Sequence, residues 1–269
     1  DFIPWKICND IVGYVNKNTA SKLLSSGTIF HENNNAIHLS SRLKTLQQRT
    51  EAVAEILETL WAEELCGMKL NENYAVRMEI DSPILMTVDR GASTHLGIIT
   101  TGFHLNGFLT NKNQIEMWIA KRSATRGTFP GQLDNIVAGG QPSHLTVAEN
   151  VIKECCEEAS IPKHLAQKAH PTGFISYLME AEGNLRRHVM YVYDLIIPQD
   201  FTPIPNDGEV EAFSLMQMEE IIKIVSSSPD RFKFNCNLVI IDFLIRHGLI
   251  QNVESDYFKI VNGLRSPLN

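Results

Sequence analysis

The sequence predicts an α+β fold in which helices pack on a mixed sheet, preceded by a smaller α/β domain. Up to about residue 70, the most regular feature is one long amphipathic run. Beyond residue 71, short β-branched and aromatic segments alternate with helical ones, which is typical of a sheet covered by helices. The change of period gives an N-terminal domain of residues 1–110, of unassigned function, and a second domain of residues 111–269.

The N-terminal domain is predicted to contain a helix from about Asn18, a ribbon in TIFHENNNAIHL, and then a long helix. A serine before the long run, Ser40 or Ser41, and Gly67 after it are the expected start and stop signals. No catalytic pattern is recognisable in this domain. Its position suggests a substrate lid or a dimerisation element, so a homodimer is one expectation.

From Asn71 onward, across the boundary between the two domains, the chain is predicted to form mainly strands. The predicted strands are YAVRMEI, GIITTGFHLNGFL, EMWIAKRS, GFISYLM and RHVMYVYDLII, bounded by Gly, Asn and Pro. Helices are predicted at 147–159, 217–226 and 235–247.

The helix Val147–Ala159 shows two distinct faces. Thr146 and Glu149 have the spacing of a capping box, which predicts the start of the helix. One face is apolar and is expected to pack on the core; it comprises Ala148, Val151, Ile152, Cys155 and Ala159. The other face places three glutamates within an arc of about 100°: Glu154, Glu157 and Glu158.

Composition excludes several classes of function. Of the 269 residues, 43% are hydrophobic and 20% are charged, which suffices for an ordinary globular core. A formal net charge of −7 argues against nucleic acid as a partner, and no apolar run approaches the roughly 20 residues of a membrane helix. The five cysteines form no C-x-x-C pair, which favours a reducing compartment. We therefore expect a cytoplasmic protein, or an organellar one if a targeting segment has been removed upstream.

The acidic face of the helix has two interpretations. Acidic residues opposite an apolar stripe usually form a solvated surface. Alternatively, clustered carboxylates hold Mg²⁺ or Mn²⁺, whose charge removes their mutual repulsion. The helix by itself leaves both interpretations open.

The register of glycine, base and acids resembles the Nudix box, G-x5-E-x7-R-E-U-x-E-E-x-G-U with U apolar. The matching residues are Gly139, Lys153, Glu154, Glu157, Glu158 and Ile161. Three positions depart from the pattern: Leu145 replaces the first glutamate, Lys153 the arginine and Ser160 the second glycine. Lysine keeps the charge but lacks the planar fork of arginine.

Nearly the whole chain resembles one branch of the Nudix hydrolases, related to thiamine pyrophosphokinase, in which a small domain of unassigned function precedes the hydrolase domain. The resemblance is carried by GFHLNGF, WIAKRS, FPGQLDNIVAGGQPS, KECCEEASIP, YVYDLIIPQDFTPIPNDGEVEAF and DFLIRHGLI. That branch tends to carry Lys and Ala-Ser where this box departs. The resemblance implies a Nudix fold, a mixed sheet sandwiched between helices, in the second domain.

The resemblance also implies a reaction, the hydrolysis of a diphosphate linkage with Mg²⁺ or Mn²⁺ bound by the box glutamates. It implies damaged thiamine diphosphate analogues, the oxo and oxy forms, as substrates that are converted to monophosphates plus phosphate. Glu154 and Glu158 are the expected metal ligands, with Glu157 as a third ligand or outer acid. The Gly139 carbonyl would add an oxygen, and Lys153 would orient the acids.

The general base is expected in the loop DGEVEAF, as Glu209 or Glu211, with Glu209 preferred. Basic side chains that could bind the diphosphate are Lys121, Arg122, Arg126 and Arg187. For each of these acids and bases, an ordinary solvated side chain is the alternative.

Aromatic and polar strand residues are candidates for binding the rest of the substrate. An aromatic face would attract a cationic ring, and Trp118, Tyr177 and Tyr191 could supply one. His104 and Asn106 are expected near the cleft between the domains, where ligand pockets often lie. A place in the core, or a structural hydrogen bond, is the alternative for these five.

Two further functions stay open. The first is a Nudix hydrolase acting on a nucleoside diphosphate derivative, such as ADP-ribose or an oxidised nucleotide. The second is a non-catalytic ligand-binding module, which Leu145 favours and the retained acids oppose. In each case the expected partner is a small molecule, a diphosphate for the two hydrolases, and neither nucleic acid nor a membrane.

Overall fold

A computed structural model describes residues 2–25, 28–63, 66–111, 114–125, 127–251 and 255–268. The chain forms two parts, each with its own sheet and apolar core. Along the described residues, we find no helix both long and apolar enough to cross a membrane.

The N-terminal part is a four-stranded sheet with two helices, followed by a separate hairpin. The sheet strands are β1 (Ile3–Ile7), β2 (Asp10–Val15), β3 (Phe30–Asn33) and β4 (Ala36–Leu39), in the order β2-β1-β4-β3. The helices are α1 (Lys17–Ser25) and α2 (Leu46–Ala62), and the hairpin pairs β5 (Asn73–Val76) with β6 (Met86–Asp89). Their shared core runs from Trp5 to Ile98.

The structure corrects one prediction for this part and adds two strands. The long helix does not start at Ser40 or Ser41 but at Leu46, because Thr45 and Gln48 form a capping box there. Ser40 instead accepts a hydrogen bond from the backbone of Arg42 within a turn. The strands β1 and β2 were not predicted. The ribbon around residues 28–39 is confirmed as β3 and β4.

The second part is built on a seven-stranded mixed sheet. Its strands are β7 (Ile99–Asn111), β8 (Gln114–Arg122), β9 (Leu133–Asn135), β10 (Val137–Gly140), β11 (His170–Ala181), β12 (Asn184–Ile196) and β13 (Val210–Gln217). The main order is β11-β12-β7-β8-β13, with β10 paired to β7 and β9 to β8. The β7–β12 pair is parallel and its neighbours are antiparallel, so the predicted mixed sheet is confirmed.

Helices cover both faces of this sheet. They are α3 (Val147–Ala159), α4 (Lys163–Ala166), α5 (Met218–Ser227), α6 (Phe234–Arg246) and α7 (Tyr257–Gly263). Helix α3 packs over Phe103 and Leu105 on one face, whereas α5 and α6 pack over Phe108 and Met117 on the other. The three helices predicted in this part are confirmed, and so is the layered α+β architecture.

The boundary between the two parts stays a prediction. The strand β7 lies wholly in the larger sheet although it begins at Ile99, and the N-terminal core ends at Ile98. We therefore propose that the junction precedes Ile99 rather than lying near residue 110. The two parts are joined by direct contacts, including the 3.0 Å hydrogen bond from the Asn16 side-chain amide to the Gly183 carbonyl.

Candidate active site

Helix α3 begins and ends where the sequence predicts. The Glu149 amide donates to Thr146 Oγ1 at 3.2 Å, and the Thr146 amide donates to Glu149 Oε2 at 2.9 Å, so the capping box is confirmed. The helix ends on Ser160, whose φ of 53° lies in the left-handed region. That conformation favours glycine, which is the residue that the Nudix box has at this position.

Two of the three glutamates on the acidic face turn toward strand β10. The Ala138 amide donates to Glu158 Oε2 at 3.1 Å, and Glu158 is only 7% exposed. A Cβ at Gly139 would lie 2.9 Å from Cγ of Glu154, so only glycine leaves room for that side chain. The Gly139 carbonyl points toward Gly102 of β7, and its part in metal binding stays a prediction.

The third glutamate faces outward. The Nζ atom of Lys153 lies 2.8 Å from Glu157 Oε2 and 2.9 Å from Glu154 Oε1. The Glu157 side chain is 51% exposed. Lys153 thus bridges two of the acids, as expected for a residue that orients them. Among the described residues, no basic side chain contacts the buried Glu158.

The electrostatics of this face suit a bound cation. Burial, followed by Asp134, Glu154 and Glu209, raises the pKa of Glu158 well above its ordinary value, against one backbone hydrogen bond that lowers it. Burial also raises the pKa of Glu154, with Lys153 opposing it and Glu157 and Glu209 adding to it. A bound cation would relieve this mutual repulsion, and carboxylate oxygens are the hard ligands that Mg²⁺ and Mn²⁺ prefer.

The two candidate bases are placed differently. Glu209 immediately precedes β13, and its carbonyl accepts from the Ser123 amide at 2.9 Å. Its charge acts on both Glu154 and Glu158, so the structure brings Glu209 close to the acidic face. Glu211 pairs with Lys121 at 2.7 Å on the exposed surface, and no contact within the described part of the chain connects it to the helix. Of the segment predicted as a loop, residues 207–209 do precede the strand, whereas the residues from Val210 onward belong to β13.

The predicted basic residues have other partners. Arg122 donates to Asp134 at 2.9 Å and to the backbone carbonyls of Phe129 and Thr128. Arg187 is buried and donates to the carbonyls of Leu268 and Gly97. Contact of Lys121, Arg122 or Arg187 with a diphosphate stays a prediction that these partners do not favour. Arg126 lies outside the described residues.

A buried polar cluster lies beside the acidic face. The Asp134 carboxylate is 2.9 Å from Arg122 Nη1 and 3.2 Å from Lys233 Nζ, and it accepts from Cys236 Sγ at 2.8 Å. His104 Nδ1 lies 2.9 Å from Asn135 Oδ1. Although burial raises the pKa of Asp134, Lys233, His104, Cys236 and Arg122 together hold it well below its ordinary value.

This cluster has metal-ligating atoms but does not suit a metal. Ligand atoms of His104, Asp134 and Cys236 lie within 4.8 Å of one another. However, burial and Asp134 raise the pKa of the Cys236 thiol, and a thiol must lose its proton to bind a metal. Two cationic side chains already neutralise Asp134. We interpret the cluster as structural. His104 and Asn106 are buried, and each is hydrogen-bonded to the side chain of Asn135. Their direct contact with substrate stays a prediction.

The candidate aromatic residues fall in three places. Tyr177 packs edge-on against Phe234 at 5.6 Å between ring centroids, and Phe234 is 46% exposed. Trp118 packs on the core beneath α3. Tyr191 lines a cavity of about 280 Å³ between the two parts, together with Arg77 and Gln141. Which ring contacts a substrate stays a prediction.

Sequence reasoning missed several residues of this region. They are Asp134, Lys233 and Cys236 in the polar cluster, Phe234 in the aromatic pair, and Tyr74 and Arg90 of the N-terminal part. Lys233 and Cys236 follow Asp134 by about a hundred residues, so no local pattern could have joined them. Tyr74 lies within a predicted strand, but its contact with Gly140 of β10 depends on how the two parts pack.

Comparison with known proteins agrees with the geometry of the acidic face. Residues 1–100 match a domain of unknown function, DUF4743. "Nudix hydrolase 20, chloroplastic" and "Nudix hydrolase 24, chloroplastic" of Arabidopsis thaliana are 36% and 37% identical to this chain, each over 99% of it and 73% of the plant protein. A C. elegans Ap4A hydrolase structure matches with a TM-score of 0.39 at 17% identity, covering 55% of this chain and 98% of that one.

Proposed function

Because this chain belongs to the Nudix hydrolase family, whose members hydrolyse diphosphate linkages with a divalent metal, we propose that its substrates are damaged thiamine diphosphate analogues. The oxo and oxy forms would be converted to the monophosphate and phosphate. The observation that carries the proposed hydrolysis is the pair Glu154 and Glu158, turned toward β10 with their charge only partly balanced. The choice of thiamine derivatives rests on the resemblance of the chain to the thiamine-related branch of the family.

The metal that the family requires fits the residues present. Glu154 and Glu158 would hold Mg²⁺ or Mn²⁺, with Glu157 outside them, and Lys153 would keep Glu154 and Glu157 in position. Bound there, the metal would neutralise the charge on the diphosphate oxygens and polarise the phosphorus–oxygen bond that breaks. The capped start of α3 and the close packing on Gly139 fix the acids before any ligand arrives.

Glu209 is the residue we propose as general base. Its charge reaches both Glu154 and Glu158, whereas Glu211 is held by Lys121. A carboxylate at this place would accept the proton of the attacking water as the new phosphorus–oxygen bond forms.

The Tyr177–Phe234 pair supports recognition of a flat ring. Phe234 is half-exposed, and it is followed in the chain by Asn235 and Cys236, which contact His104 and Asp134 of the polar cluster. Asp134 in turn acts on the pKa of Glu158. A ring system stacked on this pair would gain on the order of 1 kcal/mol from aromatic or cation–π contact. A purine would also satisfy these contacts, so nucleoside diphosphate derivatives are the competing substrates.

A substrate panel tests the proposal. The protein is incubated with Mg²⁺ or Mn²⁺ and with oxothiamine, oxythiamine and thiamine diphosphates, ADP-ribose and an oxidised nucleoside diphosphate, and the released monophosphates are quantified. Glu158→Gln serves as the inactive control. We expect the highest kcat/KM with the damaged thiamine diphosphates. A preference for ADP-ribose or the nucleotide would replace the substrate, and no release with any of them would favour the non-catalytic module.

The homodimer and the compartment stay proposals. The scattered cysteines favour a reducing compartment. The names of the two plant relatives contain the word chloroplastic, which agrees with the organellar alternative. Light scattering and localisation of a tagged protein would test the two proposals separately.

A further inference from the structure

The β5–β6 hairpin of the N-terminal part contacts the end of β10 and the residues that follow it in the second part. The Ser143 amide donates to the Asn73 carbonyl at 2.8 Å. The Tyr74 hydroxyl lies directly over Gly140, where any Cβ would collide with it. The preceding residue, Gly139, packs against Glu154. The residue that Tyr74 contacts is therefore the chain neighbour of the residue that contacts a proposed metal ligand.

Arg90, which directly follows β6, is fixed at this junction. Its amide donates to the Glu72 carbonyl at 2.7 Å, and its Nη1 donates to Glu72 Oε2 at 2.9 Å. Its guanidinium carbon lies 6.0 Å from the centroid of the Tyr74 ring. The neighbouring Asp89 accepts from the Leu70, Asn71 and Gly91 amides, which pins the backbone on either side. The guanidinium is therefore pre-positioned while its side chain remains 42% exposed.

Arg90 and Tyr74 also lie in the electrostatic field of the acidic face. Burial lowers the pKa of Arg90, but Tyr74, Glu72 and Glu209 outweigh it and hold the pKa above its ordinary value. Burial raises the pKa of Tyr74 to about 12, against Arg90, and Glu154 adds to the increase. Tyr74 thus lies in the field of Glu154 on α3, and Arg90 lies in the field of Glu209, which precedes β13.

A diphosphate at this face needs a cationic side chain. The metal alone would face the charge of the substrate together with that of Glu154, Glu157, Glu158 and Glu209. Lys121 and Arg122 are engaged by Glu211 and Asp134. Arg90, by contrast, makes one side-chain hydrogen bond among the described residues, and a guanidinium can bind phosphate oxygens through two donors at once.

We propose that Arg90 binds a phosphoryl oxygen of the diphosphate, so that the N-terminal part completes a site whose carboxylates come from the second part. The inference rests on the proposed diphosphate hydrolysis and gives the domain of unknown function a direct role in substrate binding.

The test measures binding and turnover separately. Titration calorimetry with methylenediphosphonate, a diphosphate that cannot be hydrolysed, is carried out in Mg²⁺ on the full chain and on Arg90→Ala, Arg90→Lys and Glu72→Gln. We expect Arg90→Ala to weaken binding by about 10- to 100-fold, the value of a lost charge-assisted hydrogen bond. The affinity of Arg90→Lys should lie between those of the parent and Arg90→Ala. In Arg90→Ala, KM for the cleaved substrate should rise by a larger factor than kcat falls.

Glu72→Gln separates this role from a structural one. It breaks the ion pair but leaves the guanidinium, so binding of methylenediphosphonate should be retained. Equal losses of binding and of thermal stability in Glu72→Gln and Arg90→Ala would overturn the inference, as would unchanged binding in Arg90→Ala or no binding by the parent. If the parent and Arg90→Ala turn over substrate equally well, only the role of Arg90 is refuted. If binding depends on Arg90 but no substrate is hydrolysed, only the proposed hydrolase activity is refuted.

Discussion

Two buried carboxylates, Asp134 and Glu158, lie within each other's electrostatic field and are treated in opposite ways by the fold. Asp134 has Arg122 and Lys233 as ion-pair partners, and its pKa is held well below its ordinary value. Glu158 accepts one backbone hydrogen bond, and its pKa is raised well above its ordinary value, chiefly by burial. One carboxylate is neutralised by cationic side chains of the protein, whereas the other lies in a site that favours its protonated form unless an added cation balances its charge.

The difference separates structural acids from ligand-binding acids. A buried charge is costly unless it is paired, so a fold retains an unpaired one only where a ligand or a proton compensates it. The repulsion among Glu154, Glu157 and Glu158 has the same explanation, since Lys153 balances only part of it. Position in the sequence would not distinguish Asp134 from Glu158, but the charges around each of them do.

The largest effect should follow removal of an unbalanced acid. Glu154→Gln keeps the shape of the side chain against Gly139 but removes a proposed metal ligand, so hydrolysis should fall by several orders of magnitude. Glu157→Gln is the matched control, because its side chain is half-exposed and paired with Lys153. Its loss should be about 10- to 100-fold, as for residues that support ligands from outside. Steady-state rates measure both variants, and equal losses would contradict the division of roles.

Removal of the balanced acid should act on stability instead. Asp134→Asn leaves Arg122 and Lys233, whose side chains are only 11% and 16% exposed, without their carboxylate, which should lower the free energy of unfolding by about 3–5 kcal/mol. Urea unfolding followed by circular dichroism measures this. Glu158→Gln is the control, and in EDTA it should be no less stable than the parent.

The pH dependence of that difference provides a second check. The pKa of Asp134 is lower in the folded state than in the unfolded one, so its contribution is fully present above the unfolded value of about 3.9. It is lost as the pH falls through the folded value. The stability gap between parent and Asp134→Asn should therefore be constant at neutral pH and shrink below about pH 4. A gap that widens in acid would show that the carboxylate is not paired.

Added metal should stabilise the protein through the unbalanced acids alone. At Mg²⁺ concentrations of 100 times the dissociation constant, linkage raises the free energy of unfolding by about 2.7 kcal/mol. Glu158→Gln should abolish most of this increase. Glu55→Gln, which alters an exposed glutamate of α2, should retain it in full. Thermal melts with Mg²⁺ and with EDTA measure the increase, and its presence in Glu158→Gln would place the metal elsewhere.

Local patterns were enough to identify the acids that we propose as metal ligands, whereas the structural acid became apparent only from tertiary contacts. The capping box and apolar stripe of α3 lie within fourteen residues, so the sequence determines which face carries the glutamates. Asp134 is neutralised by Lys233, a residue about a hundred positions away, and by Arg122 across a strand pair. No spacing rule connects these residues. For the same reason, the sequence could not place Arg90 near Glu209, because that proximity depends on how the two parts pack.

The smallest effect should come from Lys153, which lies between the two classes. Its Nζ balances part of the charge on Glu154 and Glu157, but its side chain is 42% exposed and solvent screens the attraction. Lys153→Ala should therefore lower the free energy of unfolding in EDTA by about 0.2–1 kcal/mol, as is usual for surface ion pairs. Lys153→Arg restores the charge and supplies the planar fork found in the Nudix box, so it should match the parent or exceed it slightly. Because a bound metal would replace the lost cation, Mg²⁺ should reduce the difference in free energy of unfolding between the parent and Lys153→Ala. A difference of equal size with and without metal would show that Lys153 does not share its acids with the ion.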